Sequence, residues 1–438
     1  MPLTYAEWPF RPVQERSIEE TRRWWQTCYL PGDASQILQS EAHWCIVAGG
    51  TGSGRSTAII DLERHEINTS FIIRYFPERW PGARHALVRD GNHLAQIMAA
   101  AGWAVREYLT THMDMLASLT DMQYSFVRWL LEKFSGPRFY LSWVDGLEVN
   151  LASQLRQVTY EDIYPTTDPF HAQGQIDELA NLIRKFGYQR VLLTVDLNQY
   201  EGRTQLTTLG ELFDWLDLMH HPGMALVAAI PIEAVQDANL VKRVRGRVSV
   251  THLKWTASQV REIAIRHLRQ AIEDPQARWE DFVSAPLARE LENLLLAEYG
   301  TYVPLGWVAL AESVLSLLKE ASPISPFPLT QQHKGQIAHA FFARHMRLQI
   351  DPNRHGVWRG PRLIKLPPQR LQFLNILHER NGIPVNSEDR GLIALAGNKG
   401  NIHSLASRTR EQIEPFPDKP IYLLNKRGEG GYWLENCV

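Results

Sequence analysis

One stretch decides the fold, and it reads Trp44-Cys45-Ile46-Val47-Ala48-Gly49-Gly50-Thr51-Gly52-Ser53-Gly54-Arg55-Ser56-Thr57. A short apolar run is followed by four glycines within six residues, and then by a basic residue and two hydroxyl residues. That order predicts a strand, a glycine-rich loop and a helix. Glycines let the backbone turn tightly and point its N–H groups inward. The start of the following helix offers further N–H groups and a positive dipole end to a phosphate.

The spacing fits the phosphate-binding loop Gly-x-x-x-x-Gly-Lys-Ser/Thr, with Gly49 and Gly54 as its glycines and Ser56 as the hydroxyl for Mg²⁺. Arg55 stands where the pattern has lysine, and its planar fork binds phosphate differently from a compact ammonium. The alternative interpretation is a Gly/Ser turn without a ligand. The predicted nucleotide-binding residues are Gly49, Gly50, Thr51, Gly52, Ser53, Gly54, Arg55, Ser56 and Thr57.

A second strand is predicted at residues 190–196, where an apolar run with β-branched residues suits a buried parallel strand. It ends in Asp196, at the place where phosphate-loop enzymes carry the aspartate that orients the Mg²⁺ shell. We therefore predict a metal site formed by Ser56 and Asp196, with Asp196 as the catalytic candidate. The alternative is a strand-end aspartate that caps the next turn. Residues 197–199 are Leu, Asn and Gln, so no glutamate follows to activate water.

Residues 223–231 predict another buried strand, and its end, Ala229-Ile230-Pro231, supplies no polar side chain to sense a γ-phosphate. A last strand is predicted at residues 248–250, and a short one at residues 86–88. Arg243, Arg245 and Arg247 lie between the strands predicted at residues 223–231 and 248–250. They form either a solvated basic turn or a set from which one arginine reaches a phosphate.

Composition sets wider bounds. A chain of 438 residues has room for about two to four domains. A formal net charge of −2 excludes a generally basic, nucleic-acid-coated surface, so a DNA-binding face would have to be local. Three scattered cysteines predict neither a disulfide framework nor a zinc site. The N-terminal residues do not resemble a signal peptide, and no apolar run approaches the length of a membrane span, so we expect a cytoplasmic protein without a membrane partner.

The pattern of apolar positions and turn residues divides the chain into five predicted parts. They are an N-terminal Trp/Pro-rich segment (1–40), a P-loop core (41–252), a helical lid (253–348), a linker (349–363) and a winged-helix domain (364–438). In the first part, Ser17 followed by Glu20 predicts a capping box. Its tryptophans either pack on the next domain or form a partner-binding arm.

The C-terminal part reads as three helices followed by a hairpin with a glycine tip, which is the element order of a winged helix. Its third predicted helix, near residues 401–410, carries residue types that suit a major groove, and the wing carries two cations for phosphate or the minor groove. The predicted DNA-binding residues are His403, Ser404, Ser407, Arg408, Arg410, Lys426 and Arg427. The alternative is a domain that packs on another protein.

Two family resemblances follow from these motifs. Residues 41–345 resemble the AAA+/STAND group of P-loop ATPases, in the order of phosphate loop, Asp-ended strand, sensor-position strand and helical lid. That resemblance implies ATP and Mg²⁺ as ligands and an oligomer as one mode of action. The lid segment Val303-Pro304-Leu305-Gly306 lacks the arginine that this group often carries. Residues 366–436 look like the winged helix of prokaryotic response regulators, with a wing one residue longer.

Together these features predict an α/β protein with a P-loop parallel-sheet core, a helical lid and a C-terminal winged helix. The leading interpretation is an ATP-binding, at most weakly hydrolysing, switch that binds double-stranded DNA. One alternative is a nucleotide-degenerate scaffold whose winged helix contacts proteins. Another is an active DNA-remodelling ATPase, such as an initiator, a loader, a transposition regulator or an antiviral defence ATPase.

Overall fold

The computed structural model describes most of the chain. The described residues are 8–11, 17–32, 44–75, 93–160, 169–196, 210–211, 214, 221–235, 242, 248–320, 328–426 and 431–438. They belong to two compact units. The sheet unit is formed by residues 31–254, and the helical unit by residues 1–30 together with 255–438.

The chain begins in the helical unit, with a short 3₁₀ turn at Trp8–Phe10 and helix α1 at Ile18–Thr27. Ser17 and Glu20 form the predicted capping box at the start of α1. Trp24 and Trp25 are buried, and the Trp24 indole Nε1 donates to His267 Nε2 over 3.1 Å. These two tryptophans therefore pack on the protein's own helical unit.

The sheet unit contains a five-stranded, wholly parallel sheet in the order β2-β3-β4-β1-β5. Its strands are β1 (Trp44–Gly49), β2 (Ser70–Tyr75), β3 (Arg190–Asp196), β4 (Met224–Pro231) and β5 (Ser249–His252). The strands predicted at residues 190–196 and 223–231 are confirmed, and the last strand extends two residues further than predicted. The sequence reading missed β2. The strand predicted at residues 86–88 lies outside the described residues.

Helices flank this sheet, as the apolar runs of its central strands require, because a parallel sheet buries both faces. All eight residues of β4 are buried, and residues 191–195 of β3 are likewise inaccessible. Helix α2 (Arg55–Glu66) follows the glycine loop. Further helices with described bounds are α3 (His93–Thr111), α4 (Met113–Ala117), α5 (Asp121–Ser135), α6 (Pro137–Val144), α7 (Val149–Gln157), α8 (Pro169–Lys185) and α9 (Ile232–Val235).

The helical unit continues with a bundle whose last helix ends at His345. Thr256 caps its first helix with the aid of Gln259, a capping box that replaces two of the hydrogen bonds missing at a helix start. The helices are α10 (Ala257–Ile272), α11 (Trp279–Phe282), α12 (Ala285–Tyr299), α13 (Pro304–Glu320) and α14 (Lys334–His345).

The segment predicted to be a linker, residues 349–363, contains a small antiparallel sheet instead. Its strands are β6 (Leu348–Asp351), β7 (Gly356–Arg359) and β8 (Arg362–Lys365). The Asp, Pro, Asn and Gly residues that suggested a linker form the tight turn between β6 and β7. Gly356, the first residue of β7, leaves no room for a side chain, because a Cβ at this position would lie 2.3 Å from the carbonyl oxygen of Ile364 in the neighbouring strand β8.

The C-terminal residues form the predicted order of three helices and a hairpin. The elements are α15 (Pro368–His378), β9 (Val385–Asn386), α16 (Arg390–Ala396), α17 (Lys399–Ile413), β10 (Leu423–Lys426) and β11 (Gly431–Leu434). The three strands form one antiparallel sheet in the order β10-β11-β9. Within the described ranges, none of the helices is both long and apolar enough to cross a membrane.

Candidate functional site

The glycine loop joins β1 to α2 at the carboxyl edge of the parallel sheet, where ligands of such sheets bind. Gly52 and Gly54 have φ angles of +77° and +89°, a left-handed conformation that other residues rarely adopt. Gly54 is also the N-cap of α2, so the loop leads directly into the N–H groups of a helix start. This geometry suits a bound phosphate.

The loop residues fit a phosphate ligand in their packing as well. A Cβ at Gly49 would lie 2.2 Å from Ser53 Oγ, so Ser53 would have to move to admit a side chain at the end of β1. A Cβ at Gly50 would meet no atom of the described residues within 4 Å. Thr51 Oγ1 is buried and has no hydrogen-bond partner among the described residues. A hydroxyl in this state is a candidate donor to a ligand oxygen.

The two predicted metal residues are brought together by the fold. Ser56, in the first turn of α2, donates its hydroxyl to Asp196 Oδ2 at the end of β3 over 2.5 Å, across 140 residues of sequence. Hydroxyl and carboxylate oxygens suit Mg²⁺, because this ion prefers hard oxygen ligands. It takes few of them from the protein and the others from phosphate and water. Ser56 would be the direct ligand, and Asp196 would accept hydrogen bonds from the waters of the ion.

The side of the site formed by β4 is apolar. Asp196 pairs in register with Ala229, and both Ala229 and Ile230 are completely buried. The end of β4 therefore offers no side chain to a γ-phosphate, in agreement with the sequence. Two other predictions lie outside the described residues, namely residues 197–199 and the arginines at 243, 245 and 247.

Sequence reasoning missed a buried charged group behind this site. Glu63 of α2 is 2 % exposed, and its Oε1 accepts the Thr194 hydroxyl over 2.7 Å. Its Oε2 accepts two hydrogen bonds from the Arg74 guanidinium, from Nη2 at 2.6 Å and from Nε at 2.9 Å. One signal was available in the sequence. Glu63 follows Ser56 by seven residues and therefore lies on the same face of the helix.

A second carboxylate marks the far end of α2. Glu66 Oε2 accepts the Ser70 hydroxyl over 2.6 Å and lies 3.1 Å from Arg190 Nη2, at the start of β3. Burial alone would raise the pKa of the Glu66 carboxyl, but the hydrogen bonds from Ser70, Thr69 and Arg190 outweigh it and lower this pKa from its ordinary value.

The predicted DNA-binding residues of α17 divide into two groups. Ser404, Ser407 and Arg408 are exposed on one side of the helix, and His403 is exposed beside them. His403 Nδ1 also shares a short hydrogen bond with the Tyr432 hydroxyl of β11. The side chains of Ser404, Ser407 and Arg408 thus stay accessible to a partner, while the ring of His403 is held against the hairpin.

Contrary to the prediction, the side chain of Arg410 does not point into solvent. Its guanidinium donates to the Leu423 carbonyl oxygen from Nη2 at 2.9 Å and from Nε at 3.1 Å, and to Asn425 Oδ1 at 3.3 Å. The reason is positional, because Arg410 is half-buried next to the buried Thr409, on the side of α17 that meets β10. The Lys426 side chain and all of Arg427 lie outside the described residues.

No protein-family model matches this chain, and no curated protein matches it. Among solved structures, it is similar to Aeropyrum pernix Orc1 in complex with DNA, with 10 % identity over 93 % of this chain and 90 % of that one and a TM-score of 0.39. It is also similar to the Thermotoga maritima RuvB Holliday junction branch migration motor, with 13 % identity over 92 % and 88 % and a TM-score of 0.32. At these values the similarity carries no information about function.

Proposed function

We propose that this protein binds ATP together with Mg²⁺ at the loop between β1 and α2. The observation that carries the proposal is the Ser56–Asp196 hydrogen bond, which holds a hydroxyl and a carboxylate together at the end of the glycine loop. Backbone N–H groups at the start of α2 and the Arg55 cation would neutralise the phosphates. Ser56 and Asp196 would hold Mg²⁺, which would offset the negative charge of the phosphates.

The same site supports slow hydrolysis at most, so we propose a nucleotide-controlled switch of the AAA+/STAND kind. Arg55 replaces the usual lysine, β4 ends in buried apolar residues, and no glutamate directly follows Asp196 in the sequence. A water nucleophile would then lack a general base in the usual place. A long-lived ATP state suits a protein in which the bound nucleotide is the signal.

Equilibrium binding of labelled ATP and ADP, with and without Mg²⁺, tests this function when phosphate release is followed in the same samples. We expect binding that Mg²⁺ strengthens and release far slower than in an efficient ATPase. Rapid phosphate release would favour the interpretation as an active DNA-remodelling ATPase over that as a switch. Absence of binding at millimolar nucleotide would leave the interpretation as a scaffold that binds no nucleotide. Arginine in place of lysine at position 55 and the apolar end of β4 favour that interpretation.

For the C-terminal region we propose a winged helix that binds double-stranded DNA through α17. The support is the order of three helices and a hairpin on one antiparallel sheet, with Ser404, Ser407 and Arg408 exposed along one side of the third helix. Such a helix fits a major groove, where hydroxyl and guanidinium groups reach base edges and phosphates. The Lys426–Arg427 pair would then contact phosphate.

Duplex binding measured as a function of salt concentration tests the DNA proposal. An affinity that falls linearly with the logarithm of salt concentration is expected, because cationic side chains release counterions from the phosphates. Absence of duplex binding at low salt would favour a protein partner for this surface. Repeating the titration with ATP and with ADP then shows whether nucleotide state controls DNA binding.

A further inference from the structure

Helix α2 and strand β3 are joined by three polar bridges along their whole length. Ser56 bonds Asp196 at one end, Glu63 bonds Thr194 in the middle, and Glu66 pairs with Arg190 at the other end. The spacing follows from both periodicities, because residues seven apart share a helix face and alternate residues share a strand face. The strand that carries the metal carboxylate is thus fixed against the helix that carries the metal hydroxyl.

The hydrogen bond between Glu63 and Thr194 is not needed to fill the space between α2 and β3. Thr194 is fully buried and Glu63 almost so, and an isolated carboxylate there would be strongly unfavourable. Arg74, opposite Thr194 in register on the edge strand β2, supplies the compensating charge from a side chain that is 58 % exposed. An apolar pair of similar volume could fill this space without any desolvation of charge. The buried carboxylate instead fixes one relative position of α2, β2 and β3.

We infer that Glu63 is a positioning residue for the Mg²⁺–nucleotide site. Its hydrogen bond to Thr194 fixes the strand two residues before Asp196. Because Glu63 and Ser56 lie on the same face of α2, the same bond also fixes the position of Ser56 relative to Asp196. The inference rests on the proposed nucleotide function and names residues that act on it without touching a ligand. Groups that orient metal ligands in this way contribute to metal affinity even though they lie behind the ligands.

A pair of substitutions at Thr194 tests the inference. Thr194→Val keeps the shape but removes the hydroxyl, and Thr194→Ser keeps the hydroxyl. The measurement is the ratio of ATP affinity with Mg²⁺ to ATP affinity without it. We expect Thr194→Val to lower this ratio about tenfold, with the Mg²⁺-free affinity unchanged, and Thr194→Ser to retain the wild-type ratio. Glu63→Gln should reproduce the loss, because it removes the charge that holds Arg74.

Glu66→Gln is the matched control, since it weakens a bridge of the same helix and strand at the end away from Asp196. It should leave the Mg²⁺ ratio at the wild-type value, with thermal unfolding followed for every variant. A wild-type ratio in both Thr194→Val and Glu63→Gln would overturn the inference, and so would an equal loss in Glu66→Gln. Absence of Mg²⁺-dependent binding in the unmodified protein would instead overturn the proposed function on which the inference rests.

Discussion

Polar side chains have different roles at the glycine loop and at helix α17. At the loop, Ser56 and Asp196 share one hydrogen bond, and the buried Thr51 hydroxyl has no partner among the described residues. At the C-terminal end of α17, the polar groups bind backbone atoms of the protein itself, as Arg410 and Glu414 do. Substitutions at the loop should therefore reduce ligand binding, whereas substitutions at this end of α17 should reduce stability.

The largest expected effect is at Glu414. This side chain is 4 % exposed, and its carboxylate accepts the backbone N–H groups of Ile421, Tyr422 and Leu423 over 2.7 to 2.8 Å. Glu414→Ala would leave three buried donors without an acceptor, so we expect a loss of at least about 3 kcal/mol in the free energy of unfolding. Chemical denaturation measures it. Glu411→Ala, exposed one turn earlier, is the control and should stay within about 0.5 kcal/mol of wild type.

The next effect concerns Asp196. Asp196→Asn retains an oxygen that can accept the Ser56 hydroxyl but removes the negative charge. We expect Mg²⁺-dependent ATP affinity to fall about 10- to 100-fold while the free energy of unfolding changes little. Titration of ATP with and without Mg²⁺, beside chemical denaturation, separates the two. A variant that lost stability and kept its Mg²⁺ dependence would show that the hydrogen bond is structural, and the contrast with α17 would disappear.

Arg410 tests the other side of the contrast. Arg410→Ala removes the donors to the Leu423 carbonyl oxygen and the Asn425 side chain, so we expect a loss of about 1.5–3 kcal/mol in the free energy of unfolding. Arg410→Lys is the informative companion, because a single ammonium cannot reproduce the fork and should restore only part of the stability. Wild-type stability in Arg410→Ala, combined with weaker DNA binding, would return Arg410 to the DNA-contacting set.

The sequence predicted elements better than it predicted the partners of side chains. The loop, β3, β4 and the C-terminal helices follow from glycine spacing and apolar periodicity, which are local properties. The strand β2 was missed because its polar residues Ser70 and Arg74 interrupt the apolar run of a short edge strand. The sheet at residues 348–365 was missed because four-residue strands differ little from a linker rich in turn residues. The hydrogen-bond partners of Arg410 and Glu63 lie on other elements of the fold. Helical periodicity therefore places Glu63 on the Ser56 face of α2, but it does not identify what either side chain binds.

The smallest effect is expected at Arg408, the exposed neighbour of these structural groups. Arg408→Ala should change the free energy of unfolding by less than about 0.5 kcal/mol, since the side chain lies on the open side of α17. If Arg408 contacts a phosphate, duplex affinity should fall and the salt slope should decrease by about 1. Arg408→Lys should keep most of the slope, because it keeps the charge. An unchanged slope in Arg408→Ala would mean that Arg408 contacts no phosphate, and any salt dependence of duplex binding would then have to come from other cations such as Lys426 and Arg427.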